Sequence, residues 1–205
     1  MSGIKGRTYP PEPLSAVEVR KLLAARGDET LAAARDYALM VVLWRTGLRI
    51  SELLALRISD FDPVRGTVRV LHGKGNKART VGIDDGALEV VETWIQRRAV
   101  LRLPDDAPLF CTLHRRPYGR PIAPRQVRAM MTRLGADAGI GHRVHPHGLR
   151  HTHAVELVHE GWPVPLIARQ LGHSNVATTD TYLAHLFPGE VVDRARGRSW
   201  STGAA

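Results

Sequence analysis

A chain of 205 residues can bury one self-sufficient core, and 43% hydrophobic with 24% charged content excludes disordered and fibrous classes. Lys and Arg outnumber Asp and Glu 29 to 20, and the pI near 10.5 is the footprint of a domain that meets phosphate backbones. A single cysteine, Cys111, excludes a disulfide framework and a thiolate zinc site, and reads as a small buried side chain in the apolar "PLFC" run. The N-terminus has no apolar core of signal-peptide length. The longest strongly apolar stretch, "YALMVVLW", is far too short to span a bilayer, so a soluble, cytoplasmic protein is expected.

Residues 1–13 are polar and Pro-rich and read as an arm or linker. Ser15 and Glu18 form a capping box, with Val19, Leu22 and Leu23 at helical spacing and Gly27 to close the helix. Residues 30–45 predict a second helix, apolar on most faces and therefore buried, and "RISELLAL" a short third. From Phe61 to Ile83 the period changes to two: "TVRVL" and "ARTVGI" flank "HGKGNK", a hairpin with a Gly- and Lys-rich turn. Leu88, Val91, Ile95 and Ala99 mark a further helix, and "PLFCTLHRRPYGRPI" an irregular or hairpin segment.

Pro124 opens an amphipathic helix with Val127, Met130, Met131, Leu134 and Ala138 facing inward and Arg125, Arg128 and Arg133 off the stripe. Helices over 147–160 and 164–171 end at Gly161 and Gly172, and a short one is expected around 176–184. No internal repeat or domain boundary interrupts the pattern. The expected fold is mainly α with a small antiparallel β element. Charge is clustered as well as abundant: residues 107–136 hold six arginines and no acidic residue, and "DRARGR" lies near the C-terminus.

The densest chemistry is "HPHGLRHTH", residues 145–153, with four histidines around Arg150. His147 and His151 are four apart, as two zinc ligands on a helix must be. Zinc-protease chemistry also needs a glutamate beside the first histidine, and Gly148 stands there. Phosphate chemistry fits better, because an arginine fork engages two oxygens and stays charged. His147 and Arg150, three apart, share a helical face. Arg49 stands at a helix start with Glu52 one turn on and able to orient it. Lys74 sits at a hairpin tip, His173 follows a helix, and Tyr182 comes nine residues later.

In that order, "TGLRISELLAL", "GKGNKART", "HPHGLRH", "LGHSNVATT" and "TYLAH" resemble the tyrosine recombinase (phage integrase) family over about residues 14–185, its catalytic domain. The resemblance implies that Arg49 and Arg150 clamp the scissile phosphate and Lys74 is the general acid toward the 5′-oxygen. It implies that His147 accepts or relays the tyrosine proton, His173 hydrogen-bonds a phosphate oxygen, and Tyr182 is the nucleophile that forms a 3′-phosphotyrosine link. The chemistry would need no metal or cofactor. The implied partners are double-stranded DNA with inverted-repeat sites, a homotetramer on that DNA, accessory DNA-bending proteins and no membrane, which places the protein at the nucleoid. Lys77, Arg79, Arg115, Arg116, Arg120, Arg125 and Arg128 are further expected DNA contacts.

Most family members carry an additional N-terminal helical domain, for which the pattern beginning by Ser15 leaves no room. The expectation is a fragment or a minimal recombinase similar to the single-domain fimbrial phase-variation invertases, with residues 186–205 as a basic tail. The rival from another class is a non-catalytic regulator, since "VPLIARQLGHSNVATTDTYLA" reads like a helix-turn-helix. A metal-dependent hydrolase ranks third, because clustered carboxylates are lacking.

Overall fold

Ser15 caps the first helix as its spacing predicts: its hydroxyl accepts the Glu18 N–H at 3.3 Å, and the Glu18 carboxylate accepts the Ser15 N–H at 2.8 Å. In the computed structural model, which describes residues 13–27, 29–71, 78–113 and 118–172 together with Arg196, that helix is α1, Ala16–Ala24. The Thr30 hydroxyl starts α2, Leu31–Thr46, and Gly47 ends it at φ +62°, a left-handed conformation that glycine adopts without a Cβ clash. Residues 38–43 are buried without interruption, so α2 is the axis of the core, packed by the helices Asp85–Arg98 and Pro146–His159.

After α3, Ile50–Leu54, and one 3₁₀ turn, the chain enters a three-stranded antiparallel sheet of β1 (Phe61–Asp62), β2 (Thr67–Val70) and β3 (Arg79–Gly82). The alternation in the sequence locates β2 and β3, with Val68 opposite Val81 and both buried. The two-residue β1 is too short to show a period, and the sheet gains it as a third strand. The expected turn with Lys74 and Lys77 lies outside the described residues.

Asp84 caps α4, Asp85–Arg98, whose buried face is Ala87, Leu88, Val91 and Trp94, with Ile95 half-buried. Ala99, expected on that face, is instead exposed in a 3₁₀ turn beyond the helix end. The buried side chain is Arg98, held by the Pro108 carbonyl at 2.9 Å, so a charged residue takes an inward position that periodicity assigns to apolar ones. The "PLFC" segment forms a small hairpin: Cys111 bridges Pro121, and the Thr112 N–H donates to the Arg120 carbonyl at 2.8 Å. Cys111 is fully buried.

Three helices complete the described fold: α5 (Pro124–Asp137), α6 (Pro146–His159) and α7 (Val164–Leu171). α5 buries Val127, Met131 and Leu134 and leaves Arg125, Arg128 and Arg133 exposed, as its stripe predicts. The helix expected around 176–184 and, apart from Arg196, the basic tail lie outside the described residues.

α7 is anchored by polar contacts as well as by Ile167 and Leu171. The Gln170 amide accepts the Gly82 N–H at 3.0 Å and donates to the Gly82 carbonyl at 2.8 Å, acting as one more strand residue on β3. Gly47 sets how closely α6 and α7 approach the end of α2. A Cβ there would stand 2.7 Å from His153 Cδ2 and from Leu171 Cδ2. Gly47→Ala is therefore expected to cost about 2–3 kcal/mol, from the left-handed backbone and the overpacked contact together, read as a lower midpoint in urea.

Candidate active site

The C-terminal ends of α2 and α7 meet the start of α6, and this junction forms one wall of a groove of about 460 Å³. Arg49, Arg128, Arg143, His145, His147 and Arg150 line it together with Leu48, Ile50, Ser51 and Pro146. No carboxylate is among these lining residues, so the groove is built for an anion.

Arg150 is almost fully buried, and the last turns of two helices hold it. One η-nitrogen donates to the Gly47 carbonyl at the end of α2, and the other to the Leu171 carbonyl at the end of α7 at 2.6 Å. Helix C-termini carry unsatisfied carbonyls and partial negative charge, which offset the burial of a guanidinium. The arginine is thereby fixed before any ligand arrives.

Arg49 stands before the first turn of α3, where the sequence pattern puts it, and Glu52 one turn on orients it. The Glu52 carboxylate accepts the Arg49 backbone N–H at 2.9 Å and Nη1–H at 3.0 Å, while Nη2 points to the Gly172 carbonyl at 3.3 Å. Glu52 is 2% exposed by side chain, and burial alone would raise its pKa. The hydrogen bonds and charge of Arg79, with the Arg49 N–H and charge, reverse that effect and bring it down to about 2. Arg79, expected from the sequence as a DNA contact, turns its guanidinium inward onto both oxygens of Glu52, at 2.8 and 2.9 Å.

His147 lies in the first turn of α6 and faces the groove, with its ring edge-on to that of His151 at 4.4 Å. Partial burial lowers its pKa, and the Arg150, His145 and Arg49 charges lower it further, so it is neutral near pH 7 and able to accept a proton. His145 caps α6: its Nδ1 accepts the Gly148 N–H at 3.2 Å, which leaves the proton on Nε2. His151 and His153 are buried behind this wall.

Of the residues singled out from the sequence, Arg49, His147 and Arg150 come together in one groove. Arg128 joins them, whereas Arg120 and Arg125 are exposed and not among the lining residues. Lys74, Lys77, Arg115, Arg116, His173 and Tyr182 lie outside the described residues. The sequence reading missed Arg143. Its signal was faint, a lone basic residue two places before the cap of α6.

The family model described as the phage integrase family matches residues 12–188. Tyrosine recombinase XerC of Azotobacter vinelandii is 36% identical over 182 residues, covering 89% of this chain and 58% of that protein. Tyrosine recombinase XerA of Pyrococcus furiosus is 33% identical over 172 residues, covering 84% of this chain and 57% of that protein. The chain thus spans less than two thirds of the length of these relatives. The crystal structure of XerA recombinase superposes with a TM-score of 0.78 at 29% identity, over 97% of this chain and 68% of that one. XerH recombinase in a post-cleavage complex with palindromic difH substrate gives 0.74 at 26%, over 91% of this chain and 53% of that one. With its clamp of arginines on helix ends and its mostly helical fold around a small antiparallel sheet, the chain belongs to the phage integrase family and has the tyrosine recombinase catalytic-domain fold.

Proposed function

We propose that the protein is a site-specific DNA recombinase that cuts and rejoins strands through a covalent 3′-phosphotyrosine, without metal. The observation that carries this reading is the convergence of Arg49, Arg150 and His147 in a basic groove with no carboxylate among its described lining residues. A scissile phosphodiester in the groove would receive both guanidinium groups on its non-bridging oxygens, the charge compensation for which other enzymes use Mg²⁺. Tyr182 attacks phosphorus as its phenolic proton passes to neutral His147. The P–O5′ bond breaks, Lys74 protonates the leaving 5′-oxygen, and His173 hydrogen-bonds a non-bridging oxygen. An incoming 5′-hydroxyl reverses the step and restores the phosphodiester, so no external energy source is consumed.

The DNA partner is a duplex with inverted repeats, on which four copies assemble in the cytoplasm, with accessory DNA-bending proteins assisting. XerH in complex with difH, before and after cleavage, supports the choice of duplex DNA among anions. The exposed Arg120 and Arg125 and the groove residue Arg128 extend the basic surface along the backbone; Lys77, Arg115 and Arg116, outside the described residues, are further proposed backbone contacts.

The test is incubation of the purified protein in EDTA with nicked duplexes, drawn from a randomised pool and from the DNA beside its gene. The expected result is a protein–DNA adduct that survives SDS. DNA binding without any adduct would favour the non-catalytic regulator, and adducts abolished by EDTA would favour a metal-dependent enzyme.

A further inference from the structure

We infer that Arg79 is a positioning residue for the arginine clamp and not a DNA contact, an inference that rests on the phosphate-clamp reading of the groove. The guanidinium of Arg79 meets the carboxylate of Glu52 face to face, Nη1 to Oε1 at 2.8 Å and Nη2 to Oε2 at 2.9 Å. The side chains of Arg79 and Glu52 are 16% and 2% exposed, so this fork-on-fork pair is set into the protein. Arg49 is left with an approach from the side: one Nη1–H to Oε1 at 3.0 Å, and a long contact from Nη2 to the Gly172 carbonyl.

The charge arithmetic separates a structural pair from a functional one. One carboxylate needs one guanidinium, and Arg79 already satisfies both of its oxygens. Drawing Arg49 to the same carboxylate sets two like charges side by side, a repulsion that an anion in the groove would relieve. Without Arg79 the carboxylate would have Arg49 alone to neutralise it, and the fork of Arg49 would close on Glu52 and withdraw from the groove. Arg79 thus keeps Arg49 oriented by Glu52 but not consumed by it.

Gly172 fits the same arrangement. It has φ +66°, and a Cβ there would stand 2.5 Å from Cζ and Nε of Arg79. The guanidinium therefore packs directly on the Gly172 backbone, whose carbonyl faces Arg49. β3, which begins at Arg79, is in this way tied to the end of α7 at the point where both meet the clamp.

The experiment is a double-mutant cycle of Arg79→Gln and Glu52→Gln, with Arg79→Lys alongside, on a nicked duplex that the wild-type protein selects from a randomised pool. Adduct formation at saturating DNA and DNA affinity across salt are measured separately, with thermal unfolding as the check on folding. Arg79→Gln is expected to slow the saturated step about 10- to 100-fold, the scale of a misplaced catalytic group, with affinity within about twofold. In the Glu52→Gln background the same change should have little further effect, because Arg79 acts through that carboxylate. Arg79→Lys keeps the charge but loses the fork, and an intermediate rate is expected. Should Arg79→Gln not fold, a wild-type rate for Arg79→Lys would overturn the inference. So would lost affinity with a salt slope reduced by about one and an unchanged saturated rate, the behaviour of a phosphate contact. Effects that multiply across the cycle would overturn it too. A wild-type protein that forms no adduct on any duplex removes both the recombinase reading and this inference, whereas a wild-type adduct with an unaffected Arg79→Gln removes the inference alone.

Discussion

Tyr182→Phe is expected to abolish the SDS-resistant adduct, a loss of at least about 10³-fold, while DNA affinity stays within about twofold. A phenol with a pKa near 10 is about 0.1% ionised at pH 7, so it becomes a competent nucleophile only where cations stabilise the phenolate or a base takes its proton. The groove supplies both, through Arg49, Arg150 and a His147 whose pKa is held below its ordinary value. Phenylalanine keeps the ring and removes the oxygen proposed to attack, and the arginines of the groove are untouched. Neither of the two described tyrosines is suited to replace it. Tyr37 packs against the core from α2, and Tyr118 is exposed in the 107–123 hairpin segment, away from the groove lining. Persistent adducts in the Phe variant would place the nucleophile on another residue. Parallel loss of binding and cleavage would instead show that the substitution disturbs the site as a whole.

What could be read from the sequence follows the range of the interactions. Local ones were legible: the Ser15–Glu18 box, the all-round burial of α2, the stripe of α5 and the glycine stops at Gly161 and Gly172 act within a few residues. The orientation of Arg49 by Glu52 was legible for the same reason, being three residues apart on α3. The anchoring of Arg150 was not. Its partners are backbone carbonyls 103 and 21 residues away, and a carbonyl has no residue-type signature. Arg79 is the instructive case. In sequence it is one more basic residue beside the lysine-rich hairpin turn, and an outward DNA contact was the natural reading. The pairing of Val70 with Arg79 fixes its backbone, and a carboxylate 27 residues earlier turns its side chain inward. Arg98 is held in the same way, by carbonyls nine and ten residues later that have no residue-type signature.

The histidines behind the clamp make stability steeply dependent on acid. His151 and His153 are 1% and 3% exposed. Burial, the largest cause, brings both pKa values down to about 3; nearby His147 adds to the effect at His151, and Arg45 and Arg150 at His153, where Asp84 opposes them. Neither ring nitrogen of His153 has a hydrogen-bond partner among the described residues. In the unfolded chain each imidazole would titrate near 6.5, so between about pH 6.5 and 3 the unfolded state binds the extra protons and stability falls as pH falls. Each group contributes about 1.4 kcal/mol per pH unit over that range, and lowering the pH from 7 to 5 should cost about 4 kcal/mol for the pair. Glu156 works in the opposite direction. Burial raises its pKa against the Trp44 indole and Arg45, so its protonation favours the folded state and moderates the loss. Glu52 adds nothing over this interval, because its stabilising contribution is complete above the ordinary carboxylate pKa and fades only as pH falls toward 2. Urea unfolding at pH 7 and pH 5 measures the effect, and His153→Gln should remove about half of it, since one of the two buried protonation sites is gone. A flat profile in the wild-type protein, or an unchanged one in the variant, would mean that these rings are already solvated or charged in the folded state. The clamp wall would then be looser than its packing implies, because the His153 ring packs close to Gly47, whose carbonyl holds Arg150.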